Sequence, residues 1–192
     1  MKLSKYGADV RHIVRTNAVL LRRAAMICLV LTLVVQASVF AFSRAYQIGY
    51  SPQTDLSLPW RFLLVEKRAP EQHVIQRGEI VQFSLPAAAR AFKVTAEVFP
   101  PQVSFTKIVA GVPGDHFQVD SSGRLYVNNE LWGELDLRVV DRLYAKTSDF
   151  VREGIVPADS YFMAGSGARS FDSRYFGVVP KGSIGGRAWP LF

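Results

Sequence analysis

Between Ala24 and Ser43 the apolar positions run together; beyond Ser43 they come in short runs and alternate with polar ones. The first stretch, "AAMICLVLTLVVQASVFAFS", has no charge between Arg23 and Arg44 and is diluted only by Thr32, Gln36 and Ser38. Twenty such residues predict a helix about 30 Å long, the thickness of a bilayer's hydrocarbon. The later runs are "RFLLVEK", "EIVQFSL", "EVFPPQVSFTKIVAGV", "HFQV", "RLYVNN", "YFMAG" and "SIGGRAWPLF", separated by Gly, Pro, Asn and Asp. That punctuation predicts a mostly β domain. "DSSGRLYVNNEL" reads as a hairpin: Ser121-Ser122-Gly123 turns, Leu125 and Val127 share a face, and Asn128-Asn129 turns again. "LPAAARAFKVTAE", Leu85 to Glu97, predicts a short helix with Pro86 near its first turn. Without repeats or a low-complexity linker, one outer domain accounts for the remainder.

Charge gives the long helix a direction. Lys2, Lys5, Arg11, Arg15, Arg22 and Arg23, against Asp9, put +5 of the net +7 into the first 23 residues. A basic cytoplasmic segment (1–23), a transmembrane anchor (24–43) and a periplasmic domain (44–192) follow from the excess of positive charge before the span. This places the chain in the inner (cytoplasmic) membrane, with the lipid bilayer as a partner. A cleavable secretory signal is the rival, but its apolar region is usually about 7–15 residues long and ends in an A-x-A-like site. The greater length here, and the want of such a site, favour an uncleaved anchor. Outside the N-terminus no basic stripe with interleaved aromatics remains, so nucleic acid is not an expected partner.

Cysteine and histidine narrow the chemistry. Cys28 is the one cysteine and falls inside the apolar span, so the outer domain is expected to have no disulfide, thiolate nucleophile or Cys-based metal site. His12, His73 and His116 are scattered without ligand spacing, and no metal or other cofactor is expected.

Three stretches could carry chemistry. Lys107 interrupts an otherwise apolar strand, with Val103 and Phe105 before it at alternate positions and Ile108 and Val109 after it. Its stem could snorkel to water. Alternatively the ammonium is held out of water, which would lower its pKa toward that of a usable base. Ser57 lies in "DLSLPWRF", 13 residues beyond Arg44, a reach of at most about 45 Å. Alone it reads as an ordinary turn serine. "GSGARSFDSRYFG", Gly165 to Gly177, gathers Ser170, Asp172, Ser173 and Arg174 between glycines. Alone it reads as a surface loop with a weak Asp172–Arg174 ion pair.

Taken in order, these stretches resemble the signal peptidase I family of membrane serine proteases. That family has a Ser nucleophile just outside its anchor, a K-x-x-x-G-x-P-G-D box and a later G-x-x-x-x-S-x-D-S-R-x-x-G box. Here they read Ser57, then Lys107-Ile-Val-Ala-Gly111-Val-Pro113-Gly114-Asp115, then Ser170-Phe-Asp172-Ser173-Arg174-Tyr-Phe-Gly177. A "YVNN" turn and the Gly186-Arg187 ending add to the likeness, which spans roughly Asp55 to Phe192. The S-L-P nucleophile box, one residue shorter than S-M-x-P, is more similar to the conjugative-transfer branch, the TraF-type pilin-maturation peptidases. Two positions depart from the family pattern. Asp55 stands where housekeeping enzymes place an oxyanion-donating serine, and "GSG" (165–167) replaces Gly-Asp-Asn.

The resemblance implies a signal-peptidase-like β domain behind one transmembrane helix, acting as a serine endopeptidase through a Ser57–Lys107 dyad. Ser170 would orient Lys107, and Asp172 and Arg174 would hold the loop. The backbone N–H of Ser57 is the expected oxyanion donor. An ordinary lysine pKa near 10.4 would leave Lys107 charged, so burial among Val103, Phe105, Ile108 and Val109 is the expected activating device. The implied substrate is a membrane-inserted prepilin or exported preprotein, with small residues such as Ala at P1 and P3. Three functions stay open: pilus maturation in conjugative transfer, general signal peptide removal, and a non-catalytic membrane-anchored module of a pilus or secretion assembly.

Overall fold

Residues 8–45 contain neither glycine nor proline, so nothing in the apolar run or its basic approach stops a helix once it has formed. In a computed structural model, which describes residues 3–51, 57–67 and 74–192, with side chains from residue 17 onward, α1 is continuous over Leu3–Ala45. Within it, 29 residues, Asn17–Ala45, are long and apolar enough to cross a membrane. The hydroxyls that dilute the run are absorbed by the helix itself: Thr32 Oγ1 donates to the Cys28 carbonyl at 2.8 Å and Ser38 Oγ to that of Val34 at 2.9 Å. Such back-bonding satisfies a polar group that lipid could not. Residues 1–44 form one unit and Ala45–Phe192 a second.

The second unit is built of strands β1 (Tyr46–Tyr50), β2 (Phe62–Glu66), β3 (Ile80–Ser84), β4 (Ser104–Gly111), β5 (His116–Val119), β6 (Arg124–Val127), β7 (Glu130–Glu134), β8 (Arg152–Ile155), β9 (Ser160–Ala164), β10 (Val179–Pro180) and β11 (Ile184–Pro190). Four short helices interrupt them: α2 (Ala87–Arg90), α3 (Lys93–Val98), α4 (Leu137–Arg142) and α5 (Ser173–Phe176). A seven-stranded sheet has the order β1-β2-β11-β3-β4-β9-β10 and a four-stranded sheet the order β7-β6-β5-β8, each antiparallel throughout. The chain's last strand therefore inserts between β2 and β3.

The expected hairpin is present. Asp120 Oδ1 accepts from the N–H groups of Ser122 and Arg124, both at 2.9 Å, and Gly123 adopts φ +84°. Asn128 and Asn129 both take left-handed φ, 49° and 67°, as a tight two-residue turn requires. The helix expected over Leu85–Glu97 is instead two. Phe92 becomes extended (φ −71°, ψ 122°) and sends its ring between Phe150 and Phe171, with centroids 6.2 and 6.0 Å away. Aromatic burial overrides helix continuity there.

Lys107 owes its surroundings to strand period and register. It stands opposite Val81, and Phe105 opposite Phe83, in the β3–β4 pairing. Directly paired residues share a face. Lys107 therefore projects on the side of Val81, Phe83 and Val109, which belong to one buried cluster with Met163. Ile108 points the other way, against a cluster of Leu58, Leu63, Val65, Ile80 and Ala188. The expected apolar surroundings thus hold for Val103, Phe105 and Val109, which belong to or pack against that cluster, and not for Ile108.

Candidate active site

Snorkelling fails for Lys107. The residue is 2% exposed, and among the described residues its ammonium has one hydrogen bond, Nζ donating to Ser170 Oγ at 2.8 Å. Burial lowers its pKa from 10.5 to about 8; Asp172 works against that shift and Arg174 adds to it. Nζ also lies 5.8 Å from the centre of the Phe105 ring.

The segment carrying Ser170 is not a surface loop. Ser170, Asp172, Ser173 and Arg174 are all buried. Asp172 caps α5, accepting from the Arg174 N–H at 3.2 Å, and receives the Arg174 guanidinium through Nε at 2.8 Å and Nη2 at 2.7 Å. This is a two-point fork, the strong form of a guanidinium–carboxylate pair. Burial works to raise the Asp172 carboxyl, and Arg174 outweighs it, holding the group below the usual carboxylate range. Asp172 Oδ2 further accepts the Gly165 N–H at 2.8 Å, and Ser173 Oγ that of Met163 at 2.9 Å, which fixes the segment to β9. Arg174 Nη1 reaches the Glu134 carbonyl at 2.6 Å, and Nη2 the Ser170 carbonyl at 3.3 Å. One buried ion pair thus ties β7, β9 and the Ser170 backbone together.

Gly165 sets the separation between the two serine segments. A Cβ there would collide with Ser170 Oγ and lie 2.6 Å from the Ser57 carbonyl oxygen and 2.7 Å from Ser170 Cβ. The Gly167 N–H then donates to the Ser57 carbonyl at 3.2 Å. Ser57 is half-buried, anchored by Leu58 packing into the β2/β11 cluster. It shares with Lys107 a cleft of about 590 Å³. Asp55 lies outside the described residues.

The K-x-x-x-G-x-P-G-D box has a structural account. A Cβ on Gly111 would lie 3.1 Å from Phe162 and 3.3 Å from Val156, closer than side chains ordinarily approach, so a glycine there spares β4 a displacement of those neighbours. Asp115 accepts the Val112 N–H at 2.8 Å, Arg77 Nη2 at 2.6 Å and Asn128 Nδ2 at 2.9 Å, locking the turn that leads from one sheet to the other.

The structure brings Lys107, Ser170, Asp172 and Arg174 into one connected group and sets Ser57 on the same cleft. Sequence reasoning missed the rest of the lining: Val94, Thr95 and Val98 of α3 with Phe99 at its end, Arg138, Val139 and Arg142 of α4 with Leu143 at its C-cap, and Arg169 and Phe171 beside Ser170. The available signal was Asp136 as N-cap followed by apolar Val139, Val140 and Leu143 at helical spacing.

A mostly β domain with a buried lysine on a serine-bearing cleft has the makings of a hydrolase site, and comparison with known proteins assigns the lineage. The signal peptidase, peptidase S26, family matches residues 20–192, and the chain belongs to that family. It is 32% identical over 136 residues to a probable signal peptidase I-2 of Synechocystis sp., across 67% of this chain and 55% of the relative. It is 28% identical over 168 residues to the conjugal transfer protein TraF of Agrobacterium fabrum, across 81% of this chain and 87% of the relative. A solved signal peptidase I from Enterococcus faecalis shares 26% identity over 62% of this chain and 98% of its own, with a TM-score of 0.34. The chain spans about half the length of the curated signal peptidase I relatives it matches, 49% to 60%.

Proposed function

We propose that this chain is a single-span membrane serine endopeptidase that cuts membrane-inserted preproteins, with Ser57 as nucleophile and Lys107 as general base. The observation that carries the reading is a lysine 2% exposed, with a pKa near 8, on the cleft that Ser57 lines. At neutral to mildly alkaline pH a useful fraction of Lys107 is neutral. Its Nζ takes the proton as Ser57 Oγ attacks the scissile carbonyl, then returns it to the departing amine. A water deprotonated by the same amine then releases the acyl group, in the logic of a Ser–Lys variant of the catalytic triad. Ser170 positions Nζ through its 2.8 Å bond, and Asp172 with Arg174 positions Ser170. The Ser57 N–H serves as oxyanion donor. On this reading the N-terminus is cytoplasmic, α1 spans the inner membrane and residues from about Tyr46 onward are periplasmic, an orientation that the basic approach to the span supports.

A narrower reading is maturation of a conjugative pilin, which the likeness to the conjugal transfer protein TraF supports. General removal of signal peptides is the alternative. In either case small residues before the scissile bond fit the family. Hydrolysis is the favoured fate of the acyl-enzyme over capture by the pilin's own amine.

The test is co-expression with a membrane-inserted pilin precursor and with a signal-peptide-bearing preprotein, reading the new termini and intact mass of the products. Cleavage is expected with the wild type and a loss of at least about 10⁴-fold with Ser57→Ala or Lys107→Arg, since a guanidinium stays protonated. A product one water lighter than the linear chain would reveal cyclisation. Undiminished cleavage by Lys107→Arg would refute the general-base assignment, and no cleavage of either precursor would favour the assembly-module alternative.

A further inference from the structure

Of the three polar residues that dilute the apolar span, two are satisfied within the helix and one is not. Thr32 and Ser38 each donate to a carbonyl four residues back. The Gln36 amide stands exposed on α1 and has no hydrogen-bond partner among the described residues. An amide brings two N–H donors and a carbonyl, and each group left unmet in hydrocarbon is costly. Length closes the escape to water. Along the helix Gln36 stands about 12 Å from Arg44 and about 20 Å from Arg23, further than its side chain can extend toward either headgroup layer.

Gln36 also sits in a seam. Ala25, Leu29, Thr32, Gln36, Val39 and Ser43 follow one another at alternating spacings of four and three residues, the repeat by which two helices keep one face together. Ala25, Thr32, Val39 and Ser43 are small or β-branched, which lets helix backbones approach closely in lipid. The bulkier Met26, Ile27, Leu33 and Phe40 fall outside the seam. No part of the helix's apolar window is buried against the described residues, so the seam is open to a neighbour in the bilayer.

We propose that α1 pairs in parallel with α1 of a second copy of this chain, the Gln36 amide meeting its own counterpart across a two-fold axis. An amide is its own complement: the N–H of one copy donates to the carbonyl of the other, and symmetry supplies the reverse bond. Copies that cross the membrane in the same direction bring this group to the same depth every time. The apolar segment of a substrate has no such group as a matter of course. A single polar position in an apolar seam also fixes the register of the pair. The pairing goes beyond the endopeptidase reading and rests only on its membrane-anchor half, not on Ser57 or Lys107.

The experiment uses the full chain with Cys28→Ala, labelled through Glu130→Cys, an exposed position on β7, and reconstituted in phosphatidylcholine vesicles. Energy transfer between donor- and acceptor-labelled copies is followed as lipid is added. Transfer should exceed that of random mixing and fall with dilution. Gln36→Leu should weaken association about tenfold, the scale of one hydrogen bond between helices in lipid. Gln36→Asn, which keeps the amide, should retain most of it, and Ser38→Leu, off the seam, should leave it unchanged. Transfer no greater than random mixing overturns the pairing, as does a Gln36→Leu chain that associates like the parent. If Gln36→Leu leaves transfer unchanged but weakens binding of a pilin precursor, the amide serves the substrate's span and self-pairing is overturned. Alkaline carbonate extraction and intact mass separate the two levels. A chain released by carbonate, or lacking its N-terminal segment, removes the anchor and the pairing with it; an intact, retained chain without transfer overturns the pairing alone.

Discussion

Strand β4 and the helical turn α5 each withdraw one cation from water and treat it in opposite ways. Lys107 and Arg174 are both 2% exposed. Arg174 meets a carboxylate through two nitrogens and two backbone carbonyls besides. Burial works against its charge, the Asp172 carboxylate outweighs burial, and its pKa rises above the ordinary arginine value. Lys107 meets a neutral hydroxyl instead, and burial carries its pKa down to about 8. Equal burial thus gives opposite outcomes, and the partner decides. The cation given a carboxylate is permanent scaffolding. The cation given a hydroxyl can shed its proton, and the scaffold holds the hydroxyl that faces it.

The sharpest way to break this contrast is to remove the carboxylate. Asp172→Ala leaves the Arg174 guanidinium buried and uncompensated, and should destabilise the fold by about 3–5 kcal/mol. Urea unfolding measures it; a loss below about 1 kcal/mol would mean that the pair is not the brace described. Next in size is Lys107→Met, which should stabilise while abolishing turnover. The unfolded lysine holds its proton up to about pH 10.5 and the folded one to about 8, so between these values the folded state binds fewer protons. Wild-type stability therefore rises with pH across that window, and the cost, about 3 kcal/mol at 1.36 kcal/mol per pKa unit, is complete below pH 8. Lys107→Met should recover about 2 kcal/mol at pH 7, since Ser170 loses a partner, and its advantage should shrink toward pH 10.5. A variant destabilised at pH 7 would contradict the placement of Lys107. The smallest effect belongs to Ser170→Ala, expected to lower kcat about tenfold with stability within about 1 kcal/mol of wild type. An unchanged kcat would make the Ser170 contact structural only.

Ile108, expected beside Lys107, faces the opposite cluster, whereas the lysine, the two sequence boxes and their order, and the alternation that sets Val103 and Phe105 on the side of Lys107 were legible in the sequence. So were the turns at Gly123 and Asn128-Asn129, because left-handed backbone selects residue types locally. Long-range placement was not. β11 entering between β2 and β3 follows from register and burial across more than a hundred residues, which no local pattern encodes. The break at Phe92 depends on Phe150 and Phe171. "GSGARSFDSRYFG" looked like a solvated loop because its polar residues satisfy one another, and burial of a satisfied pair leaves no mark in composition. α4, six residues long, was too short for its periodicity to stand out, and its arginines went unnoticed with it.

The central claim is that burial brings the titration of Lys107 down to about 8. The direct measurement is a pH titration of lysine ¹³Cε resonances by NMR on the full chain in micelles, with Lys107→Met supplying the assignment. A resonance absent from that variant and titrating with a midpoint near 8 is the predicted result. A Lys107 midpoint above 10, near the ordinary lysine value, would contradict the account.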